Sequence, residues 1–419
     1  MKSRVIFLRK IPTLSLLLFL FTLLIFNIKF RYIDSGDTRP NELLPISIIN
    51  EHNLDFNEFV SLEKKLPYYF KNVRGRIVSA YPIVPGILNT PVFFIANLLG
   101  IDLMENNKLL SMFSSSIISS LSVVFMFLCL INICQRRRTA IIFALVYAFA
   151  TSVWSVTSRG IWQHGPSLVF ITISLWLLTD ENNELIPYSG FFLGMAVFNR
   201  PANIMLVLPL AMYVFFHHRK KFHRFAFLAT MPAILMSWYS YVYWHNIMQL
   251  GQFLGIKGFS GNFLKGLAGL LFSPGRGLFL FTPISILSFI YLFYVLFSKK
   301  EKPLYKHMAA AGILLILLYA KWFMWWGGFC FGSRLLIEII PILIIFLALY
   351  WEKFVAHSLC LKTIFSCFLF FSVYVHFLGA FYFPSFPKNI KFKEYLWDIK
   401  DSEITKCSIE LLEDLRVKL

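Results

Sequence analysis

The feature that most constrains this chain is a series of apolar segments, each long enough to cross a lipid bilayer, that recurs along the whole sequence. A membrane-spanning helix needs roughly 20 mostly apolar residues, and the first such run, residues 11–30, meets this length. The chain is 58% hydrophobic and only 15% charged, with a mean hydropathy of +0.66, whereas soluble domains are about 25% charged. The sequence therefore predicts an all-α, polytopic integral membrane protein.

The formal net charge of +18 is concentrated in short connections between the apolar segments. Clusters of Lys and Arg in such connections are typical of the cytoplasmic loops of membrane proteins, where they also attract anionic lipid headgroups. The main clusters occupy residues 136–138, 219–224 and 299–302. The charge therefore indicates membrane topology and contact with membrane lipids, and it does not favour nucleic-acid binding.

The six cysteines show no C-x-x-C pair and no metal-ligand spacing. Four of them, Cys129, Cys134, Cys360 and Cys367, fall in or at the ends of predicted helices, where free cysteines act as small packing residues. The sequence therefore indicates neither a disulfide framework nor a metal site, and it points to no cofactor.

Placing the basic clusters in the cytoplasm gives a path of about eleven crossings. Residues 11–30 are too long for a signal-peptide core, so we interpret them as a retained first helix with a cytoplasmic N-terminus. We predict a membrane domain over residues 1–383, which includes an external loop over residues 31–108, and an extracytoplasmic tail over residues 384–419. Residues 81–99 are apolar but contain Pro82, Pro85 and Pro91, which predicts a juxtamembrane or re-entrant element. Further along, the path predicts an external loop up to residue 276, followed by one continuous helix over residues 277–297.

The unusual polar residues of the sequence all fall on the external side of this path. Ionisable groups near the bilayer usually gather for a functional reason. The unusual polar residues of this chain are Asp34 and Asp37, in the loop after the first helix, and five basic residues close to Gly or Pro, namely Arg76, Arg159, His164, Arg276 and Arg334.

Each of these residues has a structural and a functional interpretation. Asp37 and Asp34 are either helix caps or turn residues before Pro40, or, for Asp37, a general base with Glu42 at helical spacing beyond it. A single Arg is expected to snorkel to the interface. Several Arg on one face favour phosphate binding, because a guanidinium offers bidentate donors and keeps its charge. His164 is either another donor to the same phosphate or a cap of the next helix.

The order of the motifs resembles the GT-C superfamily of membrane glycosyltransferases. The similar motifs are Asp37-Thr38 with Glu42, Tyr81-Pro82, and the segments at residues 158–166, 272–277 and 325–334. Among the branches of the superfamily, the bacterial relatives of protein O-mannosyltransferases and lipid A aminoarabinose transferases are the most similar. The resemblance implies a GT-C-like fold, a catalytic role for Asp37, and a polyprenyl-phosphate sugar as the donor. In this interpretation Asp34, Glu42 and Tyr81 are supporting residues.

The chain also departs from the pattern of this superfamily. The paired prolines typical of the mannosyltransferases appear only as Tyr81-Pro82 and Val84-Pro85-Gly86, and no large soluble domain follows the membrane part. We expect an inverting transfer of a sugar to a hydroxyl of a lipid, glycolipid or surface glycan at the extracytoplasmic face of the cell membrane. The alternatives are a transporter or flippase of lipid-linked sugars, which would use the same Arg residues without a base, and a structural partner in envelope-glycan assembly.

Overall fold

The computed structural model describes residues 2–62, 67–134, 136–180, 182–247, 256–383 and 395–418. Residues 384–394 of the predicted tail therefore lie outside the described part. The first part of the chain forms α1 (Lys2–Phe26), α2 (Arg39–Asn50), β1 (Phe70–Val73), β2 (Arg76–Ser79), α3 (Val84–Leu98), α4 (Asn107–Ile133), α5 (Arg137–Phe149), α6 (Ser152–Ser155) and α7 (His164–Leu178). The second part forms α8 (Ser189–Asn199), α9 (Ile204–His217), α10 (Arg219–Trp244), α11 (Phe263–Phe272), α12 (Leu278–Phe281), α13 (Ser285–Phe297), α14 (Pro303–Ala320), α15 (Ile340–Lys353), α16 (Leu359–Phe381) and α17 (Glu403–Lys418).

Much of this helical structure is apolar enough to lie in a membrane. Six described segments have the length and composition to cross one, namely Asn107–Ile133, Arg137–Ser155, Arg219–Trp244, Pro303–Ala320, Arg334–His357 and Leu359–Phe381. Shorter apolar helices, including α7 and α13, continue the same pattern. The prediction of a polytopic all-α membrane protein is confirmed.

The helices bring the loops together at two ends of the bundle. At the end that we call the site end, the backbone N–H of Ile33, after α1, donates to the carbonyl of Arg159, 2.8 Å away, and Lys108 of α4 pairs with Asp34. At the opposite end, which we call the basic end, Lys221 pairs with Glu184 at 2.9 Å. The basic clusters at residues 136–138 and 219–224 belong to the basic end, because they begin α5 and α10.

Helix α3 occupies much of the segment predicted as juxtamembrane or re-entrant. Its side chain Asn89 donates to the carbonyl of Asn41 in α2, at 3.0 Å, and to the hydroxyl of Ser111 in α4, at 2.9 Å. Both partners belong to the first turns of helices that begin at the site end. Helix α3 therefore packs beside α2 and α4 at the site end of the bundle.

The loop between α2 and α3 contains a β-hairpin that the sequence analysis did not predict. Strands β1 and β2 pair antiparallel, with Val73 opposite Arg76. The two turn residues both have positive φ, at 53° for Arg74 and 85° for Gly75, which is the geometry of the tight turns that join twisted strands. The Arg-Gly-Arg motif is thus a turn, and Gly75 supplies the conformation that the turn requires.

Two other helix boundaries differ from the prediction. The segment at residues 277–297 was predicted as one helix, but it is divided into α12 and α13 at Thr282-Pro283-Ile284, because a proline inside a helix removes a hydrogen bond and collides with the preceding turn. The loop predicted to reach residue 276 contains α11. In this helix Gly266 and Gly269 leave no room for a Cβ, since one would lie 2.1 Å from the carbonyl oxygen of Ala320 and 2.4 Å from the Trp325 ring.

The orientation of the bundle leads to a labelling prediction. In a background without cysteine, we expect a membrane-impermeant maleimide to label cysteines at exposed positions 34 and 400 from outside the cell. A cysteine at exposed position 136 should be labelled only after the membrane is opened, because basic clusters stay in the cytoplasm. Labelling of positions 34 and 136 from the same side would contradict this topology.

Candidate functional site

The loop that carries Asp37 is fixed by the buried carboxylate of Glu42. Oε1 of Glu42 accepts hydrogen bonds from the phenol of Tyr32, at 2.5 Å, and from the hydroxyl of Thr38, at 2.7 Å. Its Oε2 accepts one from Arg39 at 3.0 Å. Burial and the Glu42 charge both raise the pKa of Tyr32, so this phenol keeps its proton and remains a donor. Glu42 thereby holds both ends of the short turn that contains Asp37.

Asp37 pairs with Arg334 from the far end of the sequence. Oδ2 of Asp37 lies 2.8 Å from Nη1 of Arg334, and the two side chains are 20% and 14% exposed, so the pair remains partly open. The phenol of Tyr81 donates a hydrogen bond to the same carboxylate, and both burial and the Asp37 charge raise the pKa of Tyr81. Tyr68 lies beside them, against Gly36. The predicted residues Asp37, Tyr81 and Arg334 therefore form one group.

Arg334 is also held by an aromatic ring. Its guanidinium carbon lies 4.5 Å from the centre of the buried Trp162 ring, a distance at which the face of the ring attracts a cation. Trp162 fits because Gly160 has no side chain; a Cβ there would lie 2.7 Å from the indole nitrogen. The sequence motif around residues 158–166 thus supplies the surface on which Arg334 rests.

A fully buried ionic cluster lies next to this group. Oε1 of Glu338 is 2.7 Å from Nδ1 of His164 and 3.0 Å from Nη1 of Arg200. Nε of Arg200 donates to the phenol of Tyr319 at 2.9 Å. Glu338 follows Arg334 within the 3-10 segment Arg334–Ile339, so the buried cluster and the Asp37–Arg334 pair share one element.

Arg200 and Glu338 were not among the predicted site residues, although both have a signal in the sequence. Arg200 occurs in the Asn-Arg-Pro break between two apolar helices, and Glu338 is the lone acid of a long apolar run. Ionisable residues in such positions usually face the interior of the bundle and pair with each other.

Several buried polar atoms around the two groups have no hydrogen-bond partner within the described structure. They are Nε1 of Trp162, Nε2 of Gln163, Oγ of Ser333, Nε of Arg334 and Oε2 of Glu338. A buried donor or acceptor left without a partner costs about 1–3 kcal/mol, so these atoms are expected to bind water or a polar ligand. The part of the site with the most unused hydrogen-bonding capacity therefore surrounds Arg334.

Two of the other predicted residues have different partners. The guanidinium of Arg76 contacts Asp55, at 3.5 Å, and donates to the carbonyl of Val242, at 3.1 Å. Arg159 is buried and donates to the carbonyl of Lys29 at 2.7 Å, which ties the end of α1 to the segment Thr157–Arg159.

Arg276 pairs with the C-terminal helix. Its Nη1 lies 2.5 Å from Oε1 of the buried Glu403, and its Nε and Nη2 each donate to a carbonyl 3.1 Å away, those of Trp326 and Gly328. Burial raises the pKa of Glu403 to about 7, against the lowering effect of the Arg276 charge. These contacts place Arg276 between α17 and the loop that leads to Arg334. A phosphate-binding role for Arg76, Arg159 and Arg276 stays a prediction.

Asp34 is more exposed than Asp37 and pairs with Lys108. Within the described ranges, no group of three or more His, Cys, Asp or Glu side chains has an arrangement suited to a metal ion.

The helical arrangement defines the class of fold, which is GT-C-like. The chain is similar to the crystal structure of ArnT from Cupriavidus metallidurans bound to undecaprenyl phosphate, with a TM-score of 0.52 and 10% sequence identity, over 89% of this chain and 70% of that chain. No protein-family model matches the sequence, and no curated protein matches it.

The buried cluster leads to a stability prediction. Changing Arg200 to Met leaves Glu338 without its guanidinium partner, and breaking a buried ion pair costs about 3–5 kcal/mol. The Arg76→Met variant is the control, because its side chain is 42% exposed and exposed pairs contribute about 0–1 kcal/mol. Unfolding of purified protein in mixed micelles measures both. Equal losses in the two variants would show that the buried cluster has no special role in stability.

Proposed function

We propose that the protein is a membrane glycosyltransferase that moves a sugar from a polyprenyl-phosphate donor to a hydroxyl group of a lipid, glycolipid or surface glycan. The proposal places the reaction at the extracytoplasmic face of the cell membrane, with the N-terminus in the cytoplasm and the tail outside. The observation that carries it is the Asp37–Arg334 pair, 2.8 Å apart and partly open, with unpaired polar atoms around it. The similarity to ArnT, whose structure contains undecaprenyl phosphate, supports a lipid-linked donor.

Asp37 has the position of a general base. The acceptor oxygen attacks the anomeric carbon, the bond between that carbon and the phosphate oxygen breaks, and the acceptor proton passes to the carboxylate of Asp37. A single displacement from the face opposite the phosphate inverts the anomeric configuration. Tyr81 donates to the same carboxylate and so fixes its direction, while Glu42 fixes the turn on which it stands.

Arg334 has the position of the group that stabilises the leaving phosphate. A guanidinium carries five N–H donors in a planar fork, and one contact to Asp37 leaves others for a phosphate. Its Nε is buried without a partner in the described structure. Donors aimed at a charge that develops during reaction supply a large part of enzymatic catalysis, so the phosphate leaves as an anion and needs no general acid.

His164 and Arg200 support this arrangement from below. Both contact Glu338, which stands one turn after Arg334. The positive charge of Arg200 and the hydrogen-bonding groups of both residues fit a phosphate or the hydroxyl groups of a sugar that enters beside Arg334. In this proposal Arg334 makes the principal phosphate contact, and His164 and Arg200 complete the polar wall.

A flippase for lipid-linked sugars is the alternative from another class. It would bind the same phosphate and would not need a base at Asp37. Purified protein in vesicles with a radiolabelled polyprenyl-phosphate sugar separates the two functions. An enzyme releases polyprenyl phosphate and labels the acceptor, whereas a flippase moves the intact lipid across the vesicle membrane.

Changing Asp37 to Asn tests the base. Loss of a general base typically lowers the rate by about 10²–10⁴-fold, and Asn keeps the shape of the side chain, so we expect turnover to fall by this factor while donor binding is retained. Asp34→Asn is the control, because Asp34 is exposed and pairs with Lys108. Near-normal turnover in Asp37→Asn, or a larger loss in Asp34→Asn, would move the base to another residue.

Changing Arg334 to Lys tests the phosphate contact. Lysine keeps the charge and loses the planar fork, so we expect donor affinity to fall by about tenfold, which corresponds to about 1.4 kcal/mol. The matched variant Arg219→Lys alters an exposed Arg of the basic end, whose guanidinium lies 5.6 Å from the centre of the Phe215 ring, and it should bind donor as the parent does. Titration with polyprenyl phosphate measures both. A parent-like affinity for Arg334→Lys would exclude Arg334 as the principal contact.

A further inference from the structure

A cavity opens at the site end, away from the Asp37 carboxylate. It has a volume of about 180 Å³ and lies between the start of α11, the Trp325-Trp326 segment and the C-terminal part of the chain. Its lining residues are Asn262, Lys265, Phe323, Trp325, Trp326, Leu396 and Trp397. We call this cavity the tryptophan cleft.

The Trp325 ring forms the floor of the cleft, and the Trp326 and Trp397 rings form its two sides. Trp325 is buried and packs on Gly269 of α11, where a Cβ would lie 2.4 Å from the ring. The Trp326 and Trp397 rings stand 5.9 Å and 6.0 Å from it, inclined at 87° and 56°. Trp397 is 45% exposed. The Trp397 ring is therefore supported by Trp325 and open to solvent, so it offers a flat apolar surface on which a ligand ring can stack.

The polar part of the cleft is one-sided. Asn262 and Lys265 stand at the N-terminus of α11, where the Asn262 side chain accepts from the backbone N–H of Lys265 at 2.9 Å. Both side chains are exposed, and no carboxylate occurs among the described lining residues. Aromatic rings combined with an amide and an ammonium group fit a saccharide ring that carries a negative charge, because the rings contact its C–H faces and the ammonium group pairs with its anion.

The cleft is joined to the Asp37–Arg334 pair by a short segment. Gly327 follows Trp326, and a Cβ at Gly327 would lie only 3.6 Å from Cβ of Arg334. Arg276 fixes the same segment through the carbonyls of Trp326 and Gly328. The segment that lines the cleft is therefore next to the residue that we assign to the donor phosphate.

We propose that the tryptophan cleft binds an anionic pyranose residue of the acceptor, stacked on Trp397 and paired with Lys265. This inference rests on the proposed glycosyltransferase function and assigns the acceptor class: a glycan or glycolipid with a carboxylated or phosphorylated sugar near the hydroxyl that is modified. A lipid phosphate headgroup is the rival occupant, and the test below distinguishes it.

Saturation-transfer NMR tests the proposal. It measures the binding of methyl glucuronide and of methyl glucoside to the full-length protein in nanodiscs of neutral lipid. We expect the glucuronide to bind more tightly than the glucoside. Trp397→Ala should weaken both by about tenfold, and Trp397→Phe, which keeps a ring, should stay close to the parent. Lys265→Gln should weaken only the glucuronide, by about fivefold, as one exposed ion pair contributes up to about 1 kcal/mol.

Trp238→Ala is the matched control, because Trp238 is 56% exposed on α10 and lies outside the cleft; it should bind as the parent does. Parent-like binding by Trp397→Ala, or an equal loss in Trp238→Ala, would overturn the proposal. Loss of glucuronide binding when the nanodiscs contain anionic phospholipid would also overturn it, because the cleft would then be a headgroup site.

The measurement needs no donor, so it separates this inference from the proposed function. Saccharide binding that depends on Trp397, in a protein that transfers no sugar, would support the cleft and contradict the transferase. Transfer that depends on Asp37, with saccharide binding unaffected by Trp397→Ala, would support the transferase and contradict the cleft.

Discussion

The carboxylate of Glu338 is fully buried, and the arrangement of the site end depends on how its charge is balanced. Its partners come from different parts of the chain: His164 begins α7, and Arg200 stands in the turn between α8 and α9. Removing an ion from water costs several kcal/mol, which is recovered only when the geometry of its partners is good. The cluster therefore fixes the positions of three segments, those of His164, Arg200 and Glu338, relative to one another. It also fixes the direction in which Arg334, about one turn before Glu338, presents its guanidinium to Asp37.

The sequence predicted those parts of the molecule that follow from local composition. Apolar length gave the membrane helices, the basic clusters grouped at one end, and Asp37, Tyr81 and Arg334 were selected as candidates before the structure brought them together. The breaks were harder to predict. Pro283 lies inside a run whose composition is that of a membrane helix, and Arg74-Gly75 precedes an Arg that was interpreted as a phosphate ligand. In each case a single residue decides the backbone conformation, and the composition of the surrounding segment does not reveal it.

Pairing between distant residues was beyond prediction for a physical reason. An Arg beside Gly and Pro has the same local signature whether it binds a phosphate, a carbonyl or a carboxylate, and the sequence does not show which partner folds onto it. Arg276 and Arg334 have similar surroundings in the sequence, yet one pairs with Glu403 and the other with Asp37. Glu338 and Arg200 were missed for a different reason. Each is surrounded in the sequence by apolar residues, so its role in a buried ion pair is recognised only once its partner is known.

The pairing of Arg276 with Glu403 has a consequence for biosynthesis. Arg276 leaves the ribosome long before Glu403 does, and until α17 is made its guanidinium lacks the carboxylate that neutralises it in the finished protein. The same two residues hold the segment just before Arg334, because Arg276 donates to the carbonyls of Trp326 and Gly328, and Glu403 accepts from the backbone N–H of Gly332. The arrangement of residues around Arg334 is therefore completed only after the last described helix has emerged and docked. A chain still under synthesis would have its membrane helices inserted while Arg276 still lacked its carboxylate partner, so the contacts before Arg334 would form only once translation had reached this helix.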